Sequence, residues 1–182
     1  MSNRKLMSPK KVAIYGISIA LVAALTFMAF PITPTRGYFN FGEVVIFFIA
    51  FMIGWKEAAI CGAIGAALVD SLLAAFFVPA TLVAKALEGS VAGALSSILK
   101  KAARPALVRT VAFSIGGSLM VLTYFLYEWL VLPSGLNSPG GLGNAVAELP
   151  FNVLQVGLCG IIAVLLTEGI ERSYPQIANL RD

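Results

Sequence analysis

Apolar runs separated by short polar or proline-rich breaks organise the chain. They cover residues 12–30, 44–55, 58–78, 80–99, 108–132 and 145–167. Runs near 20 residues match helices that cross a hydrocarbon layer of about 30 Å. The pattern predicts an all-α integral membrane protein, a six-transmembrane-helix bundle forming one domain over residues 1–182. The second run is too short for an upright span. It either recruits Tyr38 to Phe41 or forms a short helix recessed in the bundle. The break Trp55-Lys56-Glu57 reads as a two-charge turn with an aromatic anchor, or as the hinge of a re-entrant pair.

Composition supports the same class. Hydrophobic residues make up 59% and charged residues 12%, against about half and a quarter in soluble domains. The runs leave no room for a large water-soluble module, so no nucleotide-hydrolysing part is expected. Histidine is absent, which excludes His-ligated zinc and Ser-His-Asp chemistry. Cys61 and Cys159 lie inside apolar runs and read as small buried hydrophobes. The net charge of +4 is distributed unevenly. With six spans, Arg4, Lys5, Lys10, Lys11, Lys56, Lys100, Lys101, Arg104, Arg109, Arg172 and Arg181 share one side, Arg36 lies opposite, and Lys85 sits within a span. The positive-inside rule then makes both termini cytoplasmic. The excess positive charge is topological, and no nucleic-acid partner is expected. The first run is too long for a cleavable signal.

Polar groups inside apolar runs carry the functional signal, because they are costly there. Residues 30–43, Phe-Pro-Ile-Thr-Pro-Thr-Arg-Gly-Tyr-Phe-Asn-Phe-Gly-Glu, gather donors, acceptors and rings between two apolar runs. Lys85 and Glu88 share a helix face; they pair with each other or with Asp70, or offer charge to a ligand. For Asp70 a structural pairing with Lys85 is favoured over ligand contact. Tyr124 and Glu128 line a cavity or, with Tyr127 and Trp129, form an interfacial belt. Asn144, Glu148, Asn152 and Gln155 make one stripe on the sixth run, serving as interhelical glue or as mixed donors and acceptors for a heterocycle. Pro150 interrupts the same stretch and could free the Val146 carbonyl. Gly16, Ala20 and Ala24 form a small-residue stripe that packs within the bundle or docks a partner. The Gly/Pro-rich stretch 133–144 is an outer lid or cap, and the basic loop 100–105 faces anionic lipid or an acidic partner.

Taken together, Ala20-x-x-x-Ala24, Gly-Tyr-Phe-Asn-Phe-Gly-Glu, Lys-Ala-Leu-Glu-Gly and Glu-Leu-Pro-Phe-Asn-Val-Leu-Gln resemble, in order and spacing, the S components of energy-coupling factor (ECF) vitamin transporters. The likeness is to the branch with riboflavin-, hydroxymethylpyrimidine- and pyridoxine-specific members. It implies a multi-pass protein of a prokaryotic plasma membrane. Such a protein binds one vitamin from outside, in a cavity closed by the first outer loop. It docks through helix one onto a transmembrane coupling protein carried by two cytoplasmic ATPases, and it topples to release its cargo. By carry-over the substrate site draws on Tyr38, Asn40, Lys85, Glu88, Tyr124, Glu148, Asn152 and Gln155. The docking face is Gly16, Ala20 and Ala24. Riboflavin is the expected cargo, with hydroxymethylpyrimidine, pyridoxine or another B vitamin as alternatives. No cofactor, metal or catalytic residue is implied. An intramembrane enzyme would have only Glu43, Asp70 and Glu88 to use, at no recognised catalytic spacing. A membrane assembly factor would use the polar stripes for packing alone.

Overall fold

Ser8 starts the first helix. Its hydroxyl accepts the Lys11 N–H at 3.4 Å, and Pro9 follows at the first helical position, where a missing N–H costs nothing. The computed structural model describes residues 8–32, 35–101, 104–134, 138–174 and 176. Among them are six α-helices: α1 (Pro9–Phe27), α2 (Gly42–Met52), α3 (Trp55–Leu73), α4 (Val78–Ile98), α5 (Pro105–Leu130) and α6 (Leu142–Ser173). A small antiparallel ribbon, β1 (Phe30–Pro31) with β2 (Tyr38–Phe39), joins α1 to α2 by pairing Phe30 with Phe39 and Pro31 with Tyr38. Single turns of tighter helix precede α4 and follow it.

The axis of the bundle is α2. It packs on α1, α3, α4 and α6, while α1–α3, α3–α4, α4–α5 and α5–α6 contacts build the wall around it. Ile46, Phe47, Ala50 and Phe51 are wholly buried. The Phe47 ring lies 5.7 Å from that of Phe113 on α5. A helix of 11 residues is about 16 Å long, about half of the hydrocarbon thickness. Of the two alternatives for the second run, the recessed helix is the one found. Tyr38 and Phe39 are not recruited to it, because they pair with β1 instead.

The break after α2 falls at Ile53 and Gly54, so Trp55, Lys56 and Glu57 open α3 rather than forming the turn. Gly54 has φ of 156°, a backbone region essentially closed to other residues. Its freedom, and not the charges beyond it, reverses the chain. On the other side of the bundle, α1 meets α3 closely at Gly65. A Cβ built there would lie 2.7 Å from Val22 Cβ and 2.9 Å from the Ile19 carbonyl oxygen.

Four stretches are long and apolar enough to cross a membrane: Pro9–Phe27, Ala75–Lys101, Pro105–Leu130 and Leu142–Ser173. Helix α3 has the length, with 19 residues, but carries Lys56, Glu57 and Asp70. Large apolar side chains such as Leu72, Leu130, Val153 and Leu165 stand exposed around the outside. In water such a surface would aggregate; in lipid it needs no cover. The molecule is an all-α membrane protein. Helix α6 continues through Pro150. Arg4, Lys5 and Arg181, and residues 33–34, 102–103 and 135–137 of the segments read above, lie outside the described residues.

Candidate functional site

A cavity opens where the β1–β2 ribbon and the start of α2 meet α3, α4, α5 and α6. Its lining is Thr26, Gly37, Tyr38, Asn40, Ala66, Asp70, Phe77, Thr81, Lys85, Tyr124, Glu148, Asn152 and Gln155. About 430 Å³ of its space is unfilled by atoms, the open mouth included, of which about 40 Å³ can take the centre of a water molecule.

Lys85 stands at the floor. Thr81, Lys85 and Glu88 fall on one face of α4 because they are four and three residues apart. The Lys85 ammonium donates to Glu43 from the first turn of α2, and to Glu88 at 3.2 Å. It also lies 5.6 Å from the centre of the Tyr124 ring, within cation–π range. Gln155 on α6 extends the network: its Nε2 donates to Glu43 at 2.7 Å, and its Oε1 accepts the Asn40 N–H at 2.7 Å. Asn40 in turn accepts the Gly42 N–H at 2.8 Å and so caps α2 from the preceding loop. One continuous set of polar bonds therefore ties α2, α4, α6 and the loop together.

Asp70 anchors a second set. It accepts the hydroxyls of Tyr38 and Thr81, and Thr81 shares a 2.9 Å bond with Tyr124. Burial, and then the Asp70 carboxylate, push the Tyr38 phenol up from its ordinary value, which keeps it a donor. The Phe77 and Tyr124 rings meet edge to face with centres 6.0 Å apart.

The mouth is held by Glu148. Its Oε1 accepts the Gly37 N–H at 2.9 Å, and Glu128 stands close to its carboxyl. A Cβ at Gly37 would overlap the Glu148 carboxylate, so a larger residue there would push that carboxylate off the Gly37 N–H.

Seven of the eight residues expected from the sequence line this cavity: Tyr38, Asn40, Lys85, Tyr124, Glu148, Asn152 and Gln155. Glu88 does not; it is wholly buried and reaches the site only through Lys85. The expected pairing of Asp70 with Lys85 is replaced by two hydroxyls on Asp70, while the lysine takes Glu43. Glu128 is buried and meets Glu148 rather than lining the cavity. Tyr127 donates to the Phe76 carbonyl at 3.0 Å. Asn144, read as part of the same stripe, ties down the outer loop through the Ser138 and Gly140 carbonyls. Sequence reasoning missed Glu43 as the lysine's partner, and Thr26, Gly37, Ala66, Phe77 and Thr81 as lining. Thr81 carried a usable signal, its place one turn before Lys85 on the same face.

On α1 the stripe of Gly16, Ala20 and Ala24 is exposed, and a Cβ at Gly16 would meet nothing within 4 Å. The helix packs inward with Ser18, Val22 and Thr26 instead. The stripe is not used for packing within the described chain. Cys61 and Cys159 are both buried and unlinked.

A Pyrococcus woesei protein described as an uncharacterized protein in the gap 3′ region is 32% identical over 143 residues, covering 79% of this chain and 88% of its own length. Residues 6–172 match the family described as the ECF-type riboflavin transporter, S component. The match spans all six helices but for the last residue of α6. The chain therefore belongs to the family of ECF-type riboflavin transporter S components, substrate-binding subunits of a transporter rather than enzymes.

Proposed function

We propose that this chain captures riboflavin from the outer side of a prokaryotic plasma membrane and delivers it through an ECF module. The chain acts as one domain of six membrane-embedded helices with both ends in the cytoplasm. Its cavity is the vitamin site. The reading rests on one observation above the rest: Tyr38, Asn40, Lys85, Tyr124, Glu148, Asn152 and Gln155 converge on a single cavity from the ribbon, α4, α5 and α6. Amides and hydroxyls there suit the mixed edges of a heterocycle, and the Tyr124 and Phe77 rings suit its flat face. Gly16, Ala20 and Ala24 form the docking face for a transmembrane coupling protein powered by two ATPases, since small side chains let helices approach closely in lipid.

The unfilled space is narrow. A three-ring vitamin enters only when the Thr35–Phe39 loop lifts from Glu148 or the side chains beneath it turn. That narrowness favours a second reading, a one-ring cargo such as hydroxymethylpyrimidine or pyridoxine, which needs less opening. A ligand that binds the folded state raises the melting temperature. The purified chain should therefore be heated with each vitamin and its absorption spectrum recorded. Flavin absorption that co-purifies, or stabilisation by riboflavin, supports the first reading. Stabilisation by a one-ring vitamin alone replaces it with the second, and stabilisation by none removes the cavity as a vitamin site.

A further inference from the structure

We propose that this cavity discriminates by charge: it takes neutral or cationic vitamins and rejects their phosphate esters and other anions. The inference rests on the reading of the cavity as the vitamin site and adds the class of ligand it accepts.

The argument is an inventory of what faces the cavity. Its one cation among the described lining residues is Lys85, and that ammonium is already held by Glu43 and Glu88. Asp70 and Glu148 line the cavity as acids, and Glu128 stands directly behind Glu148. Two acids on the described lining, with Glu43, Glu88 and Glu128 buried behind it, thus stand against one ammonium. The acids outnumber the base. Backbone donors that could form an anion nest are also taken: the Gly37 N–H by Glu148, the Asn40 N–H by Gln155, and the Gly42 N–H by Asn40. Arg36 belongs to the loop over the mouth but does not line the cavity.

What remains unpartnered points the other way. Glu43 Oε2, Glu88 Oε1 and Glu128 Oε2 are buried acceptors without a hydrogen bond, and so is the hydroxyl oxygen of Thr26. Thr26 lines the cavity and is 2% exposed. Of these four groups only the Thr26 hydroxyl is on the described lining, while the three carboxylate oxygens add negative charge behind it. A phosphate ester would add two negative charges where the surroundings are already negative and poorly screened by water. Rejection of this kind is specificity by repulsion rather than by contact.

The test uses the full-length chain in lipid nanodiscs and titration calorimetry. The ligands are riboflavin, hydroxymethylpyrimidine and pyridoxine, each beside its phosphate ester and its neutral acetate ester at the same hydroxyl. For whichever parent binds, the phosphate should bind at least 100-fold more weakly, and the acetate within tenfold of the parent. Glu148→Gln keeps an acceptor for the Gly37 N–H and removes a carboxyl, so it should narrow the phosphate gap at least threefold. A phosphate ester that binds within threefold of its parent overturns the charge filter and leaves the vitamin site standing. Equal rejection of phosphate and acetate shows exclusion by size and also overturns it. Failure of every parent to bind overturns both. The comparison of the two esters on the unaltered chain stands even if Glu148→Gln does not fold.

Discussion

Asn152 and Lys85 line the same cavity, yet truncating them should differ in consequence for the fold. Asn152 is half-buried, and its side chain makes no hydrogen bond to the described residues. Asn152→Ala should leave the melting curve almost unchanged, within about 0.5 kcal/mol, while weakening vitamin binding about tenfold, which is about 1.4 kcal/mol. Lys85→Ala strands Glu43 and Glu88, both wholly buried. Breaking a buried ion pair from one side costs about 3–5 kcal/mol, so this variant should lose thermal stability as well as binding. Calorimetry and thermal melts on the two variants check the difference; an unchanged melt for Lys85→Ala would show that the acids do not depend on it. The same contrast marks what the sequence made legible. An ionisable residue in an apolar run is visible by its rarity, so Lys85, Glu88 and Glu148 were all found. Their partners were less visible. Glu43 and Lys85 stand 42 positions apart, and no helical or strand period links residues at that distance. Asp70 is therefore expected beside Lys85, the lysine within a span, whereas two hydroxyls hold it instead.

At the scale of the helix, small residues serve two purposes on α1 and α3 that spacing alone does not separate. Gly65 of α3 faces Val22 and the Ile19 carbonyl across a packed contact. Gly65→Ala puts a methyl against backbone and a β-branched side chain, neither of which yields easily. It should lower stability by about 1–3 kcal/mol, the usual cost of overpacking. Ala20 is exposed on the opposite side of α1, so Ala20→Trp should leave the melt and vitamin binding of the isolated chain unchanged. In cells it should abolish uptake of labelled riboflavin, because a large ring keeps a partner helix away. Normal uptake by Ala20→Trp would remove the stripe from docking. Hydropathy located each helix to within six residues at either end, since burial in lipid demands long apolar runs. It did not locate the turn before α3, because a single glycine with an unusual backbone angle decided that, nor did it choose between the two roles open to the second run. Recession of α2 follows from its neighbours: an 11-residue helix exposes its end groups unless other helices and polar side chains surround it, and Asn40 supplies that cap.

For the whole molecule, the central position of α2 and the polar network at its start give the bundle two unlike ends. At one end lie the ribbon, the cavity mouth and Arg36. At the other lie Lys10 and Lys11 before α1 is fully under way, Lys56 at the start of α3, Lys100 and Lys101 after α4, Arg109 in α5 and Arg172 near the end of α6. Arg109 is buried against Glu171, and Arg172 pairs with Glu168 at 3.4 Å, so α5 and α6 are clasped at this basic end. The proposed orientation follows from the rule that basic residues stay with the cytoplasmic leaflet: it turns the cavity mouth outward, where a nutrient would arrive. The native cysteines suit a direct check, since Cys61 and Cys159 are wholly buried and give little background labelling. Lys10→Cys and Tyr174→Cys replace exposed residues near the two ends of the described chain, and Arg36→Cys an exposed one at the mouth. A membrane-impermeant maleimide added to intact cells should label Arg36→Cys alone. Lys10→Cys and Tyr174→Cys should react only after the membrane is opened. Riboflavin present during labelling should also slow the reaction at Arg36→Cys, because a cargo under the Thr35–Phe39 loop holds that loop in place. Labelling of the two terminal positions from outside would invert the molecule and put the cavity mouth in the cytoplasm, where a high-affinity scavenger of external vitamin has nothing to capture.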